Sequence, residues 1–151
     1  MATEKQVEEG MRDSFLEISE YFDGDSVLIN EAIFLDKSIQ YMPAVNILTS
    51  DEFTIIQDAP TAELSYPKPV LLYVAFVDWK VSRDQFRDVR QAVFDKYNEV
   101  GTARSAGGLD GVTIDNIRNV SNIIGMGYAG EPAPVQPVYL VQELVFEVNL
   151  F

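Results

Sequence analysis

Residues 70–79, with the sequence VLLYVAFVDW, are almost continuously apolar. A strand buried on both faces of a sheet has this composition, whereas a half-exposed strand alternates apolar and polar residues. We therefore expect a central strand here. The preceding residues 58–69 (DAPTAELSYPKP) contain three prolines and are predicted to form a loop.

A second long strand is predicted over residues 138–150, at the end of the sequence. One of its sides carries six large apolar residues, which predicts a buried face. They are Val138, Leu140, Leu144, Phe146, Val148 and Leu150. Shorter strands are predicted at residues 27–34, 41–49 and 112–120, while residues 53–57 (FTIIQ) either extend the second of these or form a separate short arm.

Two helices are predicted because apolar residues recur at every third or fourth position. The first begins at Thr3, whose spacing from Gln6 matches a capping box. The second has the same spacing between Ser82 and Gln85 and is predicted to stop at Gly101. The apolar stripes are Val7, Met11, Phe15, Ile18 and Phe22 in the first helix, and Phe86, Val89, Val93, Tyr97 and Val100 in the second.

This order of elements predicts a single domain over residues 1–151. Its class is α+β: a mostly antiparallel sheet with two helices packed on one face, in the order α-β-β-β-α-β-β. A chain of this length buries enough surface for one core without disulfides or metals. Residues 102–111 and 125–137 (GMGYAGEPAPVQP) are predicted to be long loops.

Charge is the outlying bulk property. The chain has 24 acidic and 11 basic residues, a formal net charge of −13. Residues 1–75 hold 14 of the acids and 4 of the bases, so the excess lies mainly in the N-terminal half. An outer surface of this sign disfavours tight binding to nucleic acid phosphates. No apolar run is long enough to span a membrane, and the first ten residues lack a signal-peptide pattern, so a soluble protein that acts without a membrane is expected.

Few residues are available for catalysis, since the chain has no histidine and no cysteine. The commonest general base, the commonest transition-metal ligands and the thiol nucleophile are therefore missing, and we predict neither enzyme activity, nor a cofactor, nor a metal. Carboxylates remain: Asp110 and Asp115 could join a hard-cation site if the fold gathers further oxygen ligands. A carboxylate–metal hydrolase or a small acidic binding module is thus the alternative from a different functional class.

Four segments follow one another in a distinctive order. They are MPAVNIL (residues 42–48), PVLLYVAFVDW (69–79), SRDQFRDVRQAVFDKY (82–97) and YLVQELVFEVNLF (139–151). Together with the order of the elements, they resemble the tail terminator family of tailed bacteriophages. The resemblance extends over nearly the whole chain.

The resemblance implies a structural virion protein that is made in the host cytoplasm and located in the tail and neck of the particle. Such a protein forms a homo-oligomeric ring, commonly a hexamer, which caps the tail tube and joins it to the head. Its partners would be further copies of itself, the tail tube protein and the head–tail connector proteins of the neck. DNA would pass through an acidic lumen without specific binding, because like charges repel its phosphates. A head–tail connector or completion protein of the neck is the alternative within this class.

Two sets of residues are candidates for contacts between proteins. At 100° per residue, Arg83, Arg87 and Arg90 fall on one narrow stripe of the second helix. We hypothesise that this stripe meets the acidic N-terminal half of a neighbouring copy, the alternative being a solvated flank with local ion pairs. Phe53, Ile55, Ile56 and Tyr128 are candidate contact arms, although the first three could instead complete the sheet.

Overall fold

The computed structural model describes residues 2–31, 43–56, 63–98, 109, 111–120, 124–126 and 139–150. Two helices and seven strands lie within these ranges, so the α+β class is confirmed. In chain order they are α1 (Glu4–Leu16), β1 (Val27–Ile29), β2 (Ala44–Ile47), β3 (Thr54–Ile56), β4 (Glu63–Ala75), α2 (Trp79–Asn98), β5 (Val112–Asn119), β6 (Ile124–Met126) and β7 (Tyr139–Leu150).

All the strands belong to one sheet, whose main path is β1-β2-β4-β7-β5. The strand β3 also pairs with β4, and β6 also pairs with β7. Every pairing is antiparallel except that of β1 with β2, which is parallel. The centre is formed by β4 and β7, which pair continuously from Leu64↔Leu150 to Ala75↔Tyr139. These are the two strands for which the sequence has the longest apolar segments.

Both helices lie on one face of the sheet, as the sequence predicts. The rings of Phe15 in α1, Tyr97 in α2 and Phe146 in β7 pack against one another, with centroid distances of 4.9 to 6.0 Å. The hydroxyl of Tyr97 also donates a hydrogen bond of 3.1 Å to the carbonyl oxygen of Met11. The two helices therefore contact each other as well as the same strand.

The opposite face of the sheet carries a smaller apolar cluster. Tyr73 in β4 and Tyr139 in β7 are buried there with Ala44, and their ring centroids lie 5.5 Å apart. Leu71 and Val141 pack against this cluster. The centre of the sheet is thus apolar on both faces, which explains why the sequence of β4 lacks alternation over residues 70–74.

Several predicted boundaries are wrong. Residues 63–69 belong to β4 and not to a loop, and residues 124–126 form β6 where a loop was expected from residue 125. The central strand ends at Ala75. The second helix starts earlier than the predicted cap, with Asp78 accepting a 2.8 Å hydrogen bond from the backbone of Val81. Its predicted stop at Gly101 lies outside the described residues.

The prolines that suggested a loop explain an interruption at one edge of β4. Odd-numbered residues of this strand point their peptide groups toward β2 and β3, as the 2.9 Å bond from Leu48 N to Pro69 O shows. Pro67 and Pro69 have no N–H to donate on that edge. Accordingly, the segment beside this edge pairs with β4 at β2 and again at β3, but not at residues 49–53 between them.

Candidate functional site

The exposed apolar residues concentrate at the junction between β4 and α2. Val77, Trp79 and Val81 are each about half exposed or more (67, 47 and 51%), although large apolar side chains are usually covered. The ring of Phe76 packs against the ring of Trp79, with centroids 5.1 Å apart. The guanidinium of Arg83 lies 5.5 Å from the centre of the Trp79 ring, close enough for a cation–π contact.

We name Trp79 and Arg83, which contact each other, the junction patch; Val77 and Val81 are exposed in the same segment. Its position follows from local structure. The side chain of Asp78 caps the first turn of α2, and the hydroxyl of the buried Ser82 accepts a 2.8 Å hydrogen bond from the backbone of Val77. These two bonds fix the turn between strand and helix. The patch residues are therefore held outward at the end of the sheet, beyond the last paired residue of β4.

The three arginines of the predicted stripe have different surroundings. Arg87 is 64% exposed and lies 3.4 Å from Asp84 and 3.6 Å from Asp88. Arg90 is half-buried and donates a 3.0 Å hydrogen bond to Gln142 in β7. Among the described residues, no carboxylate forms an ion pair with Arg83. Arg83 is thus the member of the stripe whose charge is available to a partner, and the stripe's role as an interface stays a prediction.

A groove runs between the C-terminal half of α2 and the edge strand β5. Its volume is about 270 Å³, below the roughly 300–1,000 Å³ of typical small-molecule pockets. Both elements contribute apolar and polar side chains to its lining. They are Gln91, Phe94, Asp95, Tyr97 and Asn98 of α2, and Ile114, Asp115, Asn116 and Ile117 of β5.

Two carboxylates give this groove a negative charge. Asp95 accepts a 2.8 Å hydrogen bond from the amide of Gln91, and Asp115 accepts one from Asn149. Asp115 stands at a register shift in the pairing of β5 with β7, which turns it outward. Both bonds come from neutral amides, and within the described part of the chain neither carboxylate forms an ion pair. No cation of the described residues therefore neutralises their charges.

A third polar feature lies under the N-terminal half of α1. Lys68 of β4 is completely buried, and its amine lies 2.5 Å from Glu4 and 3.4 Å from Glu8. Its amine also lies 5.5 Å from the centre of the Tyr66 ring. We name Lys68, Glu4, Glu8 and Tyr66 the buried ion cluster. It occupies the interruption between β2 and β3, where residues 49–53 leave β4.

The loop at this interruption bonds to α1 instead of to β4. The backbone N–H of Ser50 donates 2.8 Å to Glu4. Asn30, whose backbone has a positive φ of 51°, donates through its side-chain amide to both Glu8 and Thr49. The cluster therefore joins α1, β1, the loop after β2 and β4 by charge-assisted hydrogen bonds.

Tyr66 is the one part of this cluster that is left unsatisfied. Its hydroxyl is buried and has no hydrogen-bond partner in the described structure. Burial raises the pKa of Tyr66, and the negative charges of Glu4 and Glu8 raise it further. Lys68 is fully buried and Glu8 nearly so, and Glu4 is 21% exposed, so the cluster holds the N-terminal half of α1 against β4.

The candidate contact arms are only partly described. Phe53 is 49% exposed and packs on the ring of Tyr66, with centroids 5.1 Å apart. The backbones of Ile55 and Ile56 pair with Leu64 and Glu63 in the sheet. Tyr128 lies outside the described residues. Contact of these residues with a partner stays a prediction.

Sequence reasoning missed the junction patch, the groove and the buried ion cluster. Trp79 was assigned to the end of the central strand, and Lys68 to a loop. One signal for the cluster was present: Tyr66, Lys68 and Val70 alternate with Pro67 and Pro69, which places a lysine on the same side as apolar residues. The groove has no comparable signal, because it depends on how α2 crosses β5.

No metal centre is found in the described ranges, where no three Asp or Glu side chains come close enough together to hold an ion. Asp110, which the sequence suggested as a partner of Asp115, lies outside those ranges. None of the helices in the described structure has the length and apolar composition needed to cross a membrane.

Comparisons with known proteins do not assign the chain to a family. It matches no protein-family model, and its sequence shows no significant similarity to a curated protein.

Proposed function

We propose that this chain is a structural virion protein of a tailed bacteriophage: a tail terminator subunit that assembles into a ring at the neck. The ring would cap the tail tube, join it to the connector proteins of the head, and let DNA pass through an acidic lumen. The proposal starts from the resemblance of the sequence to that family. The observation that carries it further is the junction patch.

The junction patch has the composition of a contact between proteins. Tryptophan and arginine are the residues that most often dominate binding energy at interfaces, above all where the surrounding side chains exclude water. Here the guanidinium of Arg83 lies 5.5 Å from the centre of the Trp79 ring, and Trp79 is 47% exposed. In a protein with a net charge of −13, exposed apolar side chains that lie close together in sequence indicate a surface that a partner covers.

The acidic surface fits passage of DNA. Exposed carboxylates follow one another along α1 and the turn after it, among them Glu9, Asp13, Glu20, Asp23 and Asp25. A lumen lined by such residues would repel the phosphates, so that DNA slides without being held. Binding to duplex DNA should therefore be undetectable at physiological salt.

Light scattering together with negative-stain micrographs tests the proposal. We expect the purified chain, alone or mixed with tail tubes, to form rings of a single size, and antibodies to label the neck end of tails. A chain that stays monomeric under both conditions would overturn the proposal. Labelling of tailless heads instead of tails would assign the chain to the connector side of the neck.

A charge reversal on the predicted stripe gives a second test. Arg87 is exposed, so Arg87→Glu should leave the monomer folded while weakening ring formation, most clearly at low ionic strength, where screening is least. Its local contacts with Asp84 and Asp88 would be lost at a cost of only a few tenths of a kcal/mol. Unchanged assembly of Arg87→Glu at low salt would remove this arginine from the interface.

A further inference from the structure

We infer that the junction patch of one copy docks into the groove between α2 and β5 of a second copy, with Arg83 facing Asp95 and Asp115. The inference rests on the self-association in the proposed function, but not on the ring or the phage neck. It identifies which acidic surface receives the basic end of α2.

The charges on the two surfaces are complementary, and neither surface has a counterion among the described residues of its own copy. Among the described residues, Arg83 has no carboxylate partner, while Asp95 and Asp115 are bonded only to the neutral amides of Gln91 and Asn149. Bringing them together would place the Arg83 guanidinium between two carboxylates. Complementary charges of this kind fix the register of a contact and exclude wrong partners.

The shapes are also complementary. The junction patch projects an aromatic ring with an arginine stacked on it, beyond the end of the sheet. The groove is concave and has Phe94, Ile114 and Ile117 in its lining, with carboxylates and amides beside them. Its volume of about 270 Å³ suits a few side chains better than a small-molecule ligand. An aromatic residue and an arginine from another protein match this mixture of apolar and acidic lining.

Arg83 cannot reach the groove of its own copy. Arg83 and Asp95 are 12 residues apart on the same straight helix, a separation of about 18 Å at 1.5 Å per residue. The junction patch can therefore enter this groove only from a second copy of the chain. The contact joins two different surfaces, so it can repeat around a ring or occur twice in a symmetric pair.

The acidic N-terminal half is the competing receptor, and α1 supplies its most regular row of carboxylates. Part of that charge is matched internally, since Lys68 holds Glu4 and Glu8, and Lys96 lies 2.5 Å from Glu17. Asp13 is exposed and is therefore a suitable control position on α1.

Charge reversal with rescue tests the inference. We expect Arg83→Asp and Asp95→Arg each to lower the assembled fraction at least tenfold at low ionic strength, as measured by light scattering. The double variant, and an equimolar mixture of the two single variants, should recover part of the assembly, because positions 83 and 95 then carry opposite charges at every contact while Asp115 is unchanged. Both substitutions should leave α2 folded, since an acid near its N-terminus and a base near its C-terminus suit the helix dipole. Circular dichroism checks this.

Asp13→Arg should assemble like the parent. The inference is overturned if Asp13→Arg blocks assembly while Asp95→Arg does not, or if the double variant and the mixture stay dissociated although both variants are folded. A parent that forms only a closed pair, with the same pattern of loss and rescue, supports the docking but contradicts the ring. A parent that is monomeric at every concentration overturns both.

Engineered cysteines give a second measurement that does not depend on charge. The chain has no cysteine of its own, so Arg83→Cys/Asp95→Cys introduces the only thiols. They are too far apart on the helix to bond within one copy. Mild oxidation should give disulfide-linked dimers and higher oligomers on a non-reducing gel. The matched variant Arg83→Cys/Asp13→Cys should give none, and the opposite pattern would contradict the inference.

Discussion

Replacement of Lys68 by methionine tests what holds α1 against the sheet. The Lys68 amine is completely buried and forms ion pairs with both Glu4 and Glu8. Methionine has a similar length and keeps the apolar stem, so Lys68→Met removes the charge with little change in packing. Glu8 would then be a buried carboxylate without a counterion, and Glu4 a largely buried one.

The expected loss can be estimated from the contacts that remain. Removing one partner of a buried ion pair typically costs about 3–5 kcal/mol, because the other charge stays desolvated. Glu4 keeps its hydrogen bond from Ser50 and Glu8 keeps the one from Asn30. We therefore expect about 3 kcal/mol, a large part of a typical total stability of roughly 5–15 kcal/mol. For a chain of this size that corresponds to a fall in Tm of roughly 6–12 °C.

Urea denaturation and thermal melting measure this loss, with Lys80→Met as the matched control. Lys80 is 86% exposed and its contact with Asp84 is a surface pair, so its replacement should cost less than about 0.5 kcal/mol. Adding Glu4→Gln and Glu8→Gln to Lys68→Met should recover part of the loss, since no unpaired charge would then remain. If Lys68→Met melts within a degree of the parent, the cluster does not fix α1, and the reasoning fails.

Three further outcomes follow from burial. Phe146→Ala should cost about 3–5 kcal/mol in urea denaturation, whereas Phe53→Ala, at a half-exposed ring, should cost much less; equal losses would contradict the core assignment. Tyr66→Phe removes a buried hydroxyl without a partner and should be neutral or stabilising by up to about 1 kcal/mol, so a clear destabilisation would reveal a missed hydrogen bond. Burial raises the pKa of Tyr73 to about 12 and also raises that of Tyr97. Below pH 10 these tyrosines are neutral in both states, but above it the unfolded chain loses their protons first; the free energy of unfolding should therefore fall as pH rises from about 10 to 12, by up to about 1.4 kcal/mol per unit and tyrosine. A flat profile across this range would refute the burial of these hydroxyls.

The parts of the fold that the sequence predicts correctly are those in which one side of an element is uniformly apolar. In β7, Leu144, Phe146 and Val148 alternate with polar or smaller residues, and all three are buried against the helices. Phe86 and Val93 of α2 show the same agreement at helical spacing. Such patterns predict burial because one face of an element must leave water for the fold to be stable.

Residues 63–69 could not be assigned from local pattern. Two prolines in three positions predict a loop, because a proline in a strand removes a hydrogen-bond donor. In this fold the nitrogen atoms of Pro67 and Pro69, which lack a hydrogen, face the edge of β4 that is unpaired between β2 and β3. The opposite edge of β4 therefore keeps a continuous ladder with β7. Only the sheet order reveals that this edge needs no donor there. Lys68 becomes buried for the same reason, since the strand continues through it.

The junction patch could not be predicted, because it begins inside the most apolar segment of the sequence, which was interpreted as one strand. Residues 70–79 form one apolar run, and nothing in its composition separates Val74, which is fully buried, from Val77 and Trp79, which are exposed. The division arises at Ala75, the last residue of β4 that pairs with β7; beyond it no sheet remains to cover side chains. Asp78 is the one local sign of this change, because an aspartate followed three residues later by a bonded N–H is typical of a helix N-cap. An apolar run that contains such a cap therefore predicts two environments: a core strand before the cap, and apolar side chains available to a partner around it.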